Sequence, residues 1–236
     1  MRVQSLTLAA AGLALLAPTM PPAAPRPAAG PAGASAAVRQ EGVVGAADLL
    51  ARVRTCDQIS RGRYRTDDGE EPTVAVCGTR DAVFWTADMD IDCDGRPGPA
   101  CNHLTDPLYN GTTASVQSDG RYPSAEDLPY IVVPAPSRIW DPRGDGVRGG
   151  SVAAVVHENR VEYAVVADTG PADIIGEASF ATARALGIRA DPRGGGAASG
   201  VTYIVFRHSQ VKPIEDHTAA VAVGQRLARL FVVGGD

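Results

Sequence analysis

The chain has 236 residues with 27 acidic and 22 basic side chains, a formal net charge of −5. Residues 1–36 contain Arg2 and Arg26 and no acid, so the remainder carries 20 basic against 27 acidic groups. That balance excludes a nucleic-acid partner, because phosphates are neutralised by Lys and Arg, and suits a cationic one.

Arg2 followed by the apolar run Leu6–Leu16 reads as a secretory signal peptide. The run is too short for a spanning helix of about 20 residues, so no membrane association is expected after its removal. Residues 17–37 are almost wholly Pro, Ala and Gly, a composition that buries no core and reads as a linker or pro-segment. The expected division is therefore 1–36 as signal and linker and 37–236 as a single domain, exported to the cell exterior and monomeric. In an exported chain Cys56, Cys77, Cys93 and Cys101 read as two disulfides, with three possible connectivities. Sequence order favours Cys56–Cys77 and Cys93–Cys101, since each closes a short loop. A zinc site is disfavoured because there is no C-x-x-C pair and the four histidines are scattered; no metal and no cofactor are expected.

Residues 45–54 carry Leu49, Leu50 and Val53 at helical spacing. Thr73–Cys77 and Ala82–Thr86 read as strands. Next come Asp88, Asp90, Asp92 and Asp94, acids at every second position. The last three begin like a calcium loop, but its twelfth position is Cys101 rather than Glu. On a strand, Asp88, Asp90 and Asp92 would share one face. Residues 96–121 read as a long irregular loop, and loops of this length often carry function. Leu128–Pro134, Ser151–Val156, Val161–Ala167 and Val201–Phe206 are further strands, with a hairpin turn at 157–160. Asp168-Thr169-Gly170-Pro171 reads as a turn, followed by the apolar pair Ile174-Ile175, then Gly176-Glu177 and an Ala-rich helix ending at Gly187. A last helix runs over 217–230. Short strands with few helices imply a mainly β sandwich or barrel.

Asp168 and Glu177 form the candidate catalytic pair, flanking a strand end and a helix start. Two carboxyl groups in one cleft serve glycoside hydrolysis, one as acid on the leaving oxygen and the other acting on water or sugar. Apolar neighbours Ile174, Ile175 and Ala178 would raise the Glu177 pKa. Trp85, Trp140, Tyr109 and Tyr130 could stack on sugars, although Trp85 and Tyr130 lie inside apolar runs and suit a core.

The blocks 84–95 (FWTADMDIDCDG), 127–134 (DLPYIVVP), 164–188 (AVVADTGPADIIGEASFATARALGI) and 201–209 (VTYIVFRHS) resemble the glycoside hydrolase family 75 chitosanases. The resemblance implies an inverting, endo-acting, cofactor-free enzyme cutting β-1,4 bonds in chitosan, with Asp168 and Glu177 as the acting pair. Glu177 is assigned as general acid and Asp168 as general base, the reverse assignment being the alternative. Asp88, Asp90 and Asp92 would bind substrate amines. The 164–188 block also resembles double-psi β-barrel proteins, implying a mainly β, six-stranded double-psi barrel with appended helices and long loops. Rival readings are a barrel acting on peptidoglycan or another N-acetylated glycan, and a non-catalytic expansin-like binding module.

Overall fold

A computed structural model describes residues 44–234; the expected signal peptide and linker, 1–36, lie outside them. The polypeptide forms α1 (Ala46–Arg52), β1 (Cys77–Gly78), β2 (Ala82–Asp92), β3 (Tyr130–Pro134), β4 (Val152–His157), β5 (Arg160–Gly170), β6 (Glu177–Ser179), α2 (Phe180–Leu186), β7 (Ala197–Phe206) and α3 (His217–Val233). Strands pair in the order β1-β2-β6-β3-β5-β4-β7, and β2 also pairs with β7. That last pairing closes β2, β6, β3, β5, β4 and β7 into a six-stranded barrel, leaving β1 as an added edge. The mainly β barrel with appended helices and long loops is the architecture implied by the sequence.

Closure explains why the strands read as apolar runs rather than strict alternation. Strand β4, for example, is covered on both faces. Val152–Val156 are all buried, and their side chains divide between two apolar clusters. One cluster combines Ala154, Val165 and Ile204 with Leu49 of α1 and Phe231 of α3; the other combines Val155, Val166 and Tyr203 with Ala183 and Leu186 of α2. Trp85 stacks on Tyr203 at 5.3 Å and meets Trp140 edge-on at 6.2 Å, a favourable aromatic geometry. Trp85 and Tyr130 are therefore core residues, as their apolar surroundings suggested.

Helix boundaries follow local chemistry. Ser179 accepts a bond from the Thr182 amide at 3.2 Å and caps α2, which Gly187 ends in the left-handed conformation. Asp216 caps α3 through the Ala219 amide at 2.8 Å. Two disulfides form, Cys56–Cys77 and Cys93–Cys101, the pairing that sequence order favoured.

Several boundaries differ from the sequence reading, three of them near the acidic residues or the disulfides. Residues 73–76 form no strand; Val74 makes an isolated bridge to Tyr64 instead. The strand from Ala82 continues through the acidic run to Asp92, because β6 supplies it with a parallel partner. Asp168, Thr169 and Gly170 are not a turn but the end of β5, paired in parallel with Val132, Val133 and Pro134. Local turn propensity yields there to a ladder donated by a strand over 30 residues away in sequence.

Candidate active site

Register across four strands builds the site. Asp90 of β2 pairs with Glu177 of β6. Ile131 of β3 pairs with Ala178 in antiparallel fashion, and continuing that register by one residue sets Glu177 opposite Val132. Val132 in turn pairs with Asp168 of β5. Asp90, Glu177, Val132 and Asp168 thus form one row across the wall, and all four line a cleft of about 550 Å³. Only β3 separates the strands of Asp168 and Glu177. Neighbouring strands lie about 4.8 Å apart, so the two backbones are about 10 Å apart.

The carboxylate of Glu177 leans back across this gap. Its Oε2 lies 2.6 Å from where a Cβ on Gly170 would stand, and Val132 Cγ1 lies 3.1 Å from the same point. Gly170 thereby leaves the space that Glu177 occupies. On the other side, Gly176 adopts φ +131, and a Cβ there would come within 2.0 Å of Asp88 Oδ1. Glycine at that position is required twice, by backbone conformation and by close approach.

Burial raises the Glu177 carboxyl to about 7, with further contributions from the charges of Asp90, Asp168 and Asp94. At neutral pH this group holds a proton for a substantial fraction of the time. Asp168 is buried, and burial raises its pKa too, opposed by two backbone bonds. Its Oδ1 accepts from the amides of Ala114 and Thr169, both at 2.7 Å. Oδ2 takes no part in these two bonds. Ala114 belongs to the long loop after Cys93, so that loop helps hold the carboxylate.

The acidic run divides. Asp90 and Asp92 line the cleft, together with Asp94. Asp90 is exposed on the strand surface, yet desolvation by its cleft surroundings and the nearby Asp67 raise it to about 6. Burial also raises Asp92 well above the usual carboxylate range. Asp94 is raised to about 6 by burial, against a bond from the Asn110 amide at 2.7 Å. Asp88 does not reach the cleft lining. It is buried against Gly176, and its Oδ1 has no hydrogen-bond partner among the described residues. Oxygens of Asp92, Asp94 and Asp168 lie within 4.8 Å of one another. That trio is the set of described residues that could surround a single cation, whether a metal ion or an ammonium.

Several lining residues were not singled out in the sequence. Asp106, Leu108 and residues 191–195 come from loops distant in the chain. Altogether seven carboxylates line the cleft, Asp90, Asp92, Asp94, Asp106, Asp168, Asp191 and Glu177, against one guanidinium, Arg193. None of the four aromatics considered for sugar stacking is among the lining residues. Trp85, Tyr130 and Trp140 are buried, and the Tyr109 hydroxyl is bound to the Gly95 carbonyl at 2.6 Å.

Residues 89–227 match the family described as fungal chitosanase of glycosyl hydrolase group 75, a span that includes β3, β6 and every cleft-lining residue. The chain belongs to this family. Among similar proteins, an endo-chitosanase C from Aspergillus oryzae is 31% identical over 129 residues, covering 53% of this chain and 31% of its own. An endo-chitosanase from Aspergillus fumigatus is 30% identical over 138 residues, covering 53% of this chain and 58% of its own. A second Aspergillus oryzae endo-chitosanase is 33% identical over 142 residues, with 54% and 56% covered. The chain thus spans between about a third and three-fifths of the curated relatives it matches. For a group 75 glycoside hydrolase, a paired-carboxylate cleft on a barrel wall is the feature to explain.

Proposed function

We propose that this chain is a secreted, endo-acting chitosanase that cleaves β-1,4 bonds with inversion, Glu177 serving as general acid and Asp168 as general base. The observation that carries the reading is the row Asp90–Glu177–Val132–Asp168, which gives two carboxyl groups of one cleft different settings. Glu177, with a pKa near 7, keeps the proton that the leaving oxygen needs. Asp168 is raised by burial as well, but two amides on one oxygen oppose that rise and favour the ionised form a base needs.

The step follows from those states. The Glu177 carboxyl donates its proton to the glycosidic oxygen as the bond from C1 to that oxygen breaks. A water attacks C1 from the opposite face, and Asp168 takes up the proton it sheds. Both carboxyl groups then exchange protons with solvent to restore the starting state. Inversion requires the two groups about 6.5–9.5 Å apart, so that the water fits between them. The remaining carboxylates supply the negative field expected to draw in a polyamine, and the relatives named as endo-chitosanases support that choice of substrate. Two disulfides suit an oxidising, extracellular setting.

The test is to incubate the protein with chitosan and follow reducing ends, product lengths and anomeric form. Rapidly shortened chains and newly formed α-anomers are expected. Preference for a fully acetylated polymer would overturn the substrate, and β-anomers would overturn inversion.

A further inference from the structure

The acid-rich centre does not extend along the whole cleft. Beside it lies a second hollow of about 430 Å³, which shares the lining residues Asp191, Pro192 and Arg193 with the central cleft and so adjoins it. Its other walls are of different character, including Ala100, Leu104, Phe180 and Ala190. Leu104 stands 71% exposed.

The charged groups around the hollow are already engaged. Arg193 donates from Nη2 to the Leu104 carbonyl at 2.6 Å and from Nε to the Thr105 carbonyl at 2.9 Å. These bonds tie the Gly-rich loop 191–195 to the segment just after Cys101, and so fix the two walls relative to each other. Asp191 is paired with Arg189 at 2.5 Å. Arg184 lies 5.8 Å over the ring of Phe180, which adds positive charge beside the hollow. An ammonium placed here would lose hydration against apolar walls with no free carboxylate to replace it. A neutral acetamido group would instead bury its methyl against Leu104 and Phe180.

We propose that this hollow is a subsite for an N-acetylated sugar unit, flanking a centre that takes unacetylated ones. The proposal rests on the chitosan reading above. It makes the enzyme a reader of acetylation pattern, cutting partly acetylated chains with an acetylated unit at a fixed distance from the new chain end.

The experiment digests chitosan of random partial acetylation and sequences the product ends by mass spectrometry. Wild-type protein is compared with Leu104→Ser, Leu104→Met and, as a remote control, Val233→Ser, which alters an apolar side chain that is 84% exposed at the end of α3. Wild type is expected to enrich acetylated units at one position relative to the new end. Leu104→Ser should reduce that enrichment about tenfold, the scale of a lost apolar contact in a specificity pocket. Leu104→Met and Val233→Ser should preserve it. Cleavage by wild type with a flat acetyl distribution, or unchanged enrichment in Leu104→Ser, would overturn this subsite while leaving the chitosanase reading intact. No cleavage of any chitosan by wild type would defeat the chitosanase reading, and the subsite with it.

Discussion

The two halves of β2 set a stable wall beside a reactive one. From Ala82 to Ala87 the strand pairs with β7, and every residue but Thr86 is buried in an apolar setting. From Asp88 onward it carries an acid at alternate positions, and Asp90–Asp92 pair with the three-residue strand β6. The first half stabilises by removing apolar surface from water. The second half places carboxyl groups where their charged forms are disfavoured, which works against folding but holds protons near neutral pH. The same strand thus joins the part of the barrel that maintains the fold to the part that strains against it for chemistry.

The largest expected effect comes from removing the titrating groups of the row. Glu177→Gln and Asp168→Asn should each lower kcat on chitosan by about 10²–10⁴-fold, the usual contribution of a general acid or base. Melting temperatures should fall little, and for Glu177→Gln should rise at neutral pH, since a neutral amide needs no proton. Near-normal turnover in either variant would remove that carboxylate from the proposed mechanism. In the wild type, kcat should fall as pH rises through about 7, where Glu177 loses its proton, and fall again in acid as Asp168 is protonated.

A smaller effect is expected from Gly170→Ala. The backbone there does not require glycine, but the added methyl would occupy the position now taken by Glu177 Oε2. Activity should drop about tenfold to a hundredfold, the scale on which small misplacements of catalytic groups act, with the alkaline limb of the pH profile shifted. An unaltered profile would mean that Glu177 does not work from this position.

The smallest effect concerns stability. Asp88 and Glu177 are raised to about 7, and Asp90 and Asp94 to about 6, from ordinary unfolded values near 4. Between pH 4 and 7 the folded chain therefore binds more protons than the unfolded one, so stability falls as pH rises through that window and levels off above it. Asp88 does not line the cleft, so Asp88→Asn should flatten this slope. Urea unfolding at pH 4.5 and 7.5 measures both slopes; equal slopes in the two proteins would show that Asp88 carries no such penalty.

Much of this was legible in the residues. The catalytic candidates Asp168 and Glu177 stood out because each sits where an apolar run gives way to a polar turn or a capped helix, and the motif around them resembles a known family. The cysteine pairing was readable because each pair closes a short loop. Asp88 was not distinguishable from Asp90 and Asp92, since alternation assigns a shared face but not which part of a face is covered by a neighbouring glycine. The aromatic residues were equally ambiguous, because Trp140 and Tyr109 lie in irregular segments whose neighbours come from elsewhere in the chain. The Arg193 tie to residues 104 and 105 had no local signal at all.

The sequence by itself determined the strand-forming apolar runs and the acidic balance, and it offered Asp168 and Glu177 as a candidate pair, since these depend on composition or on neighbours close in the chain. Only the tertiary structure decided that Asp168 ends a strand rather than makes a turn, that Val132 alone stands between it and Glu177 in the row, and that an apolar hollow adjoins the acidic centre. Those facts depend on register between strands far apart in the chain, where shifting the pairing by one residue turns every side chain to the other face.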